Sequence, residues 1–286
     1  MVEQYHTAPV VIGGIGGSGT RLIAQCLKAA GFYIGSDFND AYDNLWFTLL
    51  FKRIQILSCS ESTFDALIEI LLKAMSGDRS FTTQQIELIE ALASEDRNEY
   101  SVHWLRRRVE ALLSGKPEIK ENKKWGWKEP NSHVVLDRLV GRMSNMKYIH
   151  VTRNGLDMAH SNNQNQLRLW GRYFLNEEIN ITPYYALKYW CTVHKRVINI
   201  GESMGDNFLF FNYDHLCVNP ESGIKWLLDF LGEKSDSLIS ELIALVRQPD
   251  SIGRFKQYGT KMFTEEDIAF VKSLGFDVNY SQQGTV

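Results

Sequence analysis

Between Pro9 and Leu27 the chain reads Pro-Val-Val-Ile-Gly-Gly-Ile-Gly-Gly-Ser-Gly-Thr-Arg-Leu-Ile-Ala-Gln-Cys-Leu. Val10, Val11 and Ile12 form the short unbroken apolar run of a buried parallel strand. Five glycines follow within seven residues, and from Thr20 onward Leu22, Ile23, Cys26 and Leu27 recur at helical spacing. The order is therefore strand, tight loop, helix. A helix start leaves backbone N–H groups unpaired and carries partial positive charge, and residues without side chains let a phosphate approach. Glycine costs about 0.5–1 kcal/mol per residue in chain freedom, so a plain turn has no use for this density. Gly16, Gly17, Ser18, Gly19, Thr20 and Arg21 are the candidate anion-binding residues, with Ser18 and Thr20 adding hydroxyls.

The loop alone leaves the ligand open. Gly14, Gly16 and Gly19 fit the dinucleotide pattern G-x-G-x-x-G, and Asp37 follows near the place of a ribose-binding acid. Most of G-x-x-x-x-G-K-[ST] fits as well, but Thr20 stands where that motif needs its phosphate lysine.

With 286 residues, of which 44% are hydrophobic, the chain can bury a large core. A net charge of −3 argues against a general nucleic-acid binder, whose surface must be basic. Cys26, Cys59, Cys191 and Cys217 are widely spaced and form no C-x-x-C pair, which reads as free thiols in a reducing compartment. No apolar run approaches the length of a membrane span, and no secretory leader precedes the first strand, so the cytoplasm is the expected location. The four-cysteine pattern and its neighbours suggest no metal site.

After the first helix come turn and cap residues, Gly35 to Asp40, with Asp37, Asn39 or Asp40 placed to cap the next helix at roughly 40–57. Tyr42, Trp46, Phe47 and Phe51 give that helix rings that either wall an acceptor pocket or reflect burial on several sides. Helical periodicity continues through Leu67–Leu72, Ile86–Leu92 and Trp104–Leu113, so about 40–116 is an all-helical insertion between core strands. Arg106, Arg107 and Arg108 sit on its last helix.

Lys124-Trp125-Gly126-Trp127-Lys128-Glu129-Pro130 then repeats the order of strand and polar end, and residues from Asn131 open a helix. Strand carboxyl ends line the ligand crevice of a parallel sheet, so Lys128 and Glu129 should face the glycine loop. A third strand, Lys147 to Thr152, ends in Arg153-Asn154-Gly155-Leu156-Asp157, with Ser161 eight residues after the arginine.

Here the chain resembles the sulfotransferases that use 3′-phosphoadenosine 5′-phosphosulfate (PAPS). Ser18-Gly19-Thr20 is similar to their phosphosulfate loop, although Gly17 stands where a Lys or Arg is common and Arg21 follows the motif. Arg153, Asp157 and Ser161 match their 3′-phosphate motif in type and spacing. Tyr213-Asp214-His215-Leu216 is similar to their Tyr-Glu-Asp-Leu, and Ser251 to Lys256 to their basic C-terminal segment.

The resemblance implies one α/β domain over 1–286, with a central parallel sheet flanked by helices in the manner of P-loop NTPases. It implies PAPS as co-substrate, PAP (the 3′,5′-bisphosphate) as product, and no metal. Arg153 and Ser161 would hold the 3′-phosphate, Tyr213 the adenine and Arg254 the closing segment, while Asp157 would be structural. Lys128 and the loop amides would stabilise charge during transfer to a hydroxyl or amine. The general base would be Asp37 or Asp40, with Glu129 and His133 as rivals. The acceptor, a small molecule, lipid or carbohydrate, is not specified. A nicotinamide oxidoreductase, a kinase lacking its lysine, and a non-catalytic nucleotide-binding protein of the same fold stand as alternatives.

Overall fold

The computed structural model describes residues 8–97, 99–114 and 124–280. The strand β1 (Val10–Gly14) is buried along its whole length. It pairs on one side with β2 (Gly126–Lys128) and on the other with β3 (Lys147–Thr152), which in turn pairs with β4 (Phe208–Asn212). All three pairings are parallel, in the order β2-β1-β3-β4. Ile12 is in register with both Lys128 and Ile149, so the strands end together along one edge of the sheet. From β1 the chain passes first to β2 on one side and later to β3 on the other, and a crevice opens at the strand ends where that order reverses.

The helix α1 (Thr20–Ala29) follows β1. Then come α2 (Leu45–Phe51), α3 (Glu61–Ser76), α4 (Thr83–Leu92) and α5 (Val102–Ser114), the helical insertion expected before β2. Its C-terminal boundary at about 116 lies outside the described residues. A 3₁₀ turn (Pro130–Val135) and α6 (Leu136–Val140) lead to β3, where periodicity had suggested one helix. Pro130 lacks the N–H of a regular first turn, and Glu129 caps the shorter turn through the Asn131 amide. Between β3 and β4 lie α7 (Gly155–Ala159), α8 (Asn165–Leu175) and α9 (Pro183–Glu202), and α10 (Tyr213–Val218), α11 (Pro220–Leu231), α12 (Asp236–Ile243) and α13 (Glu265–Ser273) complete the chain.

Side chains alternate across each strand, which divides the core between two faces. Val10, Ile12, Ile149, Val151, Leu209 and Phe211 pack under α1 and α11. Val11, Trp127 and Tyr148 pack on the opposite face, against the insertion and α9. On that second face His150 lies between His133 and His194, with ring centroids 6.3 Å and 5.0 Å away. Burial keeps all three neutral, pushing His133 and His194 down to about 3 and His150 well below its ordinary value.

The insertion corrects two expectations. Asn44, rather than Asp37, Asn39 or Asp40, caps α2 by accepting from the Phe47 amide at 2.9 Å. The earlier residues are taken up in a turn, where Asn39 Oδ1 accepts from the amides of Ala41 and Asp43. Trp46, Phe47 and Phe51 are buried core residues, so α2 carries its rings because it is packed on several sides. All four cysteines are free, three buried and Cys59 partly exposed. Among the described residues no helix is long and apolar enough to cross a membrane.

Candidate active site

The glycine loop turns sharply after β1, with the Ser18 amide donating to the Ile15 carbonyl at 3.0 Å. The amides of Gly17, Gly19, Thr20 and Arg21 donate to no described protein acceptor, as expected where a loop enters a helix. Gly17 and Gly19 both have φ of +96°, in the left-handed region. Gly19 is required twice over, because a Cβ there would lie 2.1 Å from Cδ2 of Tyr213. The Ser18 side chain is buried beneath the loop, its Oγ 2.8 Å from where a Cβ on Gly14 would stand, and among the described residues it has no hydrogen-bond partner.

A cleft of about 360 Å³ opens beside this loop. Gly16, Gly17, Gly19, Thr20 and Arg21 form one wall, Lys128, Glu129, Pro130 and Asn131 another, and Asn163, Asn165 and Gln166 a third. Ala41, Asp43 and Lys52 reach it from the insertion and the turn before it. Lys128 is only 2% exposed, and its ammonium donates to the Ala41 carbonyl at 3.1 Å and to the Asp43 carboxylate. The cation is thus held at the end of β2 by two acceptors from a single turn.

Glu129 is equally buried and accepts from the Asn131 amide nitrogen of its side chain at 2.9 Å. Burial, reinforced by the nearby Asp43 charge and opposed by Lys52, pushes its carboxyl up to about 7. The ammonium of Lys52 donates to the Tyr100 hydroxyl at 2.8 Å.

At the end of β3, Arg153 is held on three sides. Its Nη2 donates to Ser251 Oγ at 2.9 Å, its Nε lies 3.3 Å from Asp214 Oδ1, and its guanidinium carbon stands 5.8 Å from the Tyr213 ring centroid. Nη1 reaches the Gly17 carbonyl at 3.5 Å, which ties the third strand end to the glycine loop. Asp214 also accepts from the Asn154 amide at 2.8 Å. Burial raises the Tyr213 hydroxyl to about 12, so it stays protonated.

Asp157 accepts from the amides of Gly253 and Phe255, at 2.7 and 2.9 Å, and so pins the segment that bears Arg254. Arg254 donates to the His160 carbonyl at 3.2 Å, and the neighbouring Ser161 accepts from the Asn163 amide. Ser161 and Arg254 therefore adjoin the turn that supplies Asn163 to the cleft.

Of the residues singled out in the sequence, Gly16, Gly17, Gly19, Thr20, Arg21, Lys128 and Glu129 share the cleft. Asp37 does not line it; its carboxylate is bound to Arg108 of α5 at 2.7 Å. Burial nonetheless raises the Asp37 carboxyl above its ordinary value, against the pull of Arg108. Asp40 is exposed and does not line the cleft either. His133 is buried behind Gln166, with Nε2 at 3.3 Å from its side-chain oxygen.

Residues to which the sequence reading gave no site role of their own also build the site: Asp43, Lys52, Asn131, Asn163, Gln166 and Ser251. Asp43 belongs to the same acidic turn as Asp37 and Asp40, and only the folded turn distinguishes the three. Asn163 and Gln166 follow Ser161 in a polar run that marks a loop and nothing sharper. The G-x-G-x-x-G reading would need a second strand after α1, and among the described residues there are only the isolated bridges Tyr33–Trp125 and Phe38–Asn44 before α2.

A family model described as "Sulfotransferase family" matches residues 9–237. Among solved structures, the sulfotransferase domain of the Synechococcus PCC 7002 olefin synthase is similar at 17% identity and a TM-score of 0.50, over 96% of this chain and 98% of that one. The sulfotransferase domain from the curacin biosynthetic pathway is similar at 13% identity and a TM-score of 0.51, over 96% and 100%. Sulfotransferase STF9 from Mycobacterium avium is similar at 14% identity and a TM-score of 0.50, over 98% and 79%. At these identities the likeness is one of fold, a parallel sheet flanked by helices. No curated protein matches the chain in sequence. The match of the family model over most of its length shows that this chain belongs to the sulfotransferase family.

Proposed function

We propose that the chain transfers the sulfuryl group of PAPS to a hydroxyl of a small acceptor and releases PAP. The observation that carries this reading is the convergence of unpaired loop amides, buried Lys128 and Arg153 at the ends of three adjacent strands. The residues suit such a donor. Free amides and Thr20 offer donors to the 5′-phosphosulfate, Arg153 offers its fork to the 3′-phosphate with Ser161 and Arg254 nearby, and the Tyr213 ring offers a face to the adenine.

In the transfer the acceptor oxygen forms a bond to sulfur while the bond from sulfur to the 5′-phosphate oxygen breaks, and the electron pair leaves with PAP. Lys128 and the loop amides stabilise charge on the sulfuryl oxygens and on the leaving phosphate. Glu129 receives the acceptor's proton, since a base with a pKa of about 7 suits work near neutral pH. Asp43 holds Lys128 in place.

The test is calorimetric titration with PAP, AMP and NAD, alongside Arg153→Ala. PAP is expected to bind, AMP to bind less well for want of the 3′-phosphate, and NAD not to bind. Arg153→Ala should erase the difference between PAP and AMP, a loss of about 1.5–3 kcal/mol for one charge-assisted contact. Binding of NAD without PAP would overturn the reading.

A further inference from the structure

The side chains that line the cleft receiving the acceptor are mostly of polar type, while polar and apolar atoms share its surface about equally. Its side chains are three cations (Arg21, Lys52 and Lys128), two carboxyls (Asp43 and Glu129), amides and a hydroxyl, with Ala41 and Pro130 the apolar exceptions and no aromatic ring among them. Such a wall can hydrogen-bond a polyhydroxylated molecule at many points.

The cations are not equally occupied. Lys128 is paired with Asp43. Lys52 has a neutral hydrogen-bond partner, the hydroxyl of Tyr100; among the described residues no carboxylate lies within ion-pair distance of it, and Glu129 and Glu99 act on it from farther away. Both groups come from the insertion, Lys52 at the end of α2 and Tyr100 just before α5, and Tyr100 is fixed by stacking on Trp104 at 4.1 Å. By accepting from Lys52, the Tyr100 oxygen leaves its own hydrogen free for a further acceptor.

We propose that Lys52, its ammonium held by Tyr100, is the specificity site for a carboxylate carried by the acceptor, which is a hydrophilic hydroxy acid of the sugar-acid class. A carboxylate oxygen accepts from the Lys52 ammonium. A hydroxyl of the same molecule is thereby presented to the sulfuryl group. This rests on the reading of the cleft as a sulfuryl-transfer site.

The experiment uses the full chain saturated with PAP and titrates it with glucuronate and with glucose, which differ by the carboxylate. Glucuronate is expected to bind roughly tenfold or more tightly than glucose, the effect of one charge-assisted contact. Lys52→Met should abolish that preference and Lys52→Arg should retain much of it, with PAP binding in each variant reporting an intact fold. Failure of PAP to bind the unaltered chain overturns the transfer reading itself. With PAP bound, equal or absent binding of the two sugars, or a preference that survives Lys52→Met, overturns the carboxylate site alone.

Discussion

The ring of Tyr213 occupies the space a side chain on Gly19 would need, 2.1 Å from the Cβ position, although the two residues belong to different strand ends. The glycine loop after β1 and the start of α10 after β4 are thus fitted to each other across the sheet. Gly19→Ala should therefore fail twice, through a left-handed backbone costing about 1–2 kcal/mol and through displacement of Tyr213. Thermal unfolding and PAP titration should show both losses. In a double-mutant cycle, Gly19→Ala should cost less in a Tyr213→Ala background, because the displaced ring is gone. Additive losses would mean the ring moves freely.

Lys128 is held by Ala41 and Asp43 with almost no access to water, so its charge is oriented before any ligand arrives. Lys128→Met is expected to lower kcat by about 10²–10³-fold while changing PAP affinity little, the pattern of a group that acts on charge developing in the transition state. Lys128→Arg should not restore the rate, since the longer fork does not fit between those two acceptors. Steady-state kinetics with any competent acceptor reads the split.

Glu129 gives two separable pH effects. Its folded-state carboxyl sits near 7, above the ordinary value of 4.5, so the folded chain holds this proton more tightly than the unfolded chain does. Its stabilising effect is present at low pH and is lost as pH rises through about 7. Glu129→Gln removes that dependence. Its stability relative to the unaltered protein should rise between about pH 4.5 and pH 7, by up to about 3 kcal/mol, as denaturant titrations at several pH values will show. Activity should move oppositely: the rate of the unaltered enzyme climbs with a limb near pH 7, and Glu129→Gln lacks it. A limb near pH 7 that survives Glu129→Gln would place the base elsewhere.

The two amides that Asp157 accepts belong to Gly253 and Phe255, either side of Arg254. Asp157→Ala leaves both donors without their acceptor, and a loss of about 2–4 kcal/mol in stability is expected. Arg254 would lose its fixed approach to the His160 turn, so PAP affinity should fall together with stability. Asp157→Asn, which keeps one acceptor oxygen, should lose less on both counts. Protection of the Gly253 and Phe255 amides from hydrogen exchange checks the cause directly.

The strand, glycine loop and helix at 10–27 were legible because each is a local matter: an apolar run, residues that tolerate positive φ, and a periodic apolar stripe. The ends of the next two strands, with Lys128 and Arg153, were legible for the same reason, since a parallel sheet sends all such ends to one edge. Those short-range patterns determined the fold, the family and one side of the cleft. Other choices depended on contacts between distant segments. Asp37, Asp40 and Asp43 are the same residue type within seven positions, yet Arg108 on α5 takes the first, solvent the second and Lys128 on β2 the third. The rings of α2 turned inward because α3 and α5 cover that helix. Lys52 meets Tyr100, 48 positions further on, only when the chain between them folds back on itself. Tertiary structure alone decided these, because no periodicity records which remote side chain will complete a charge.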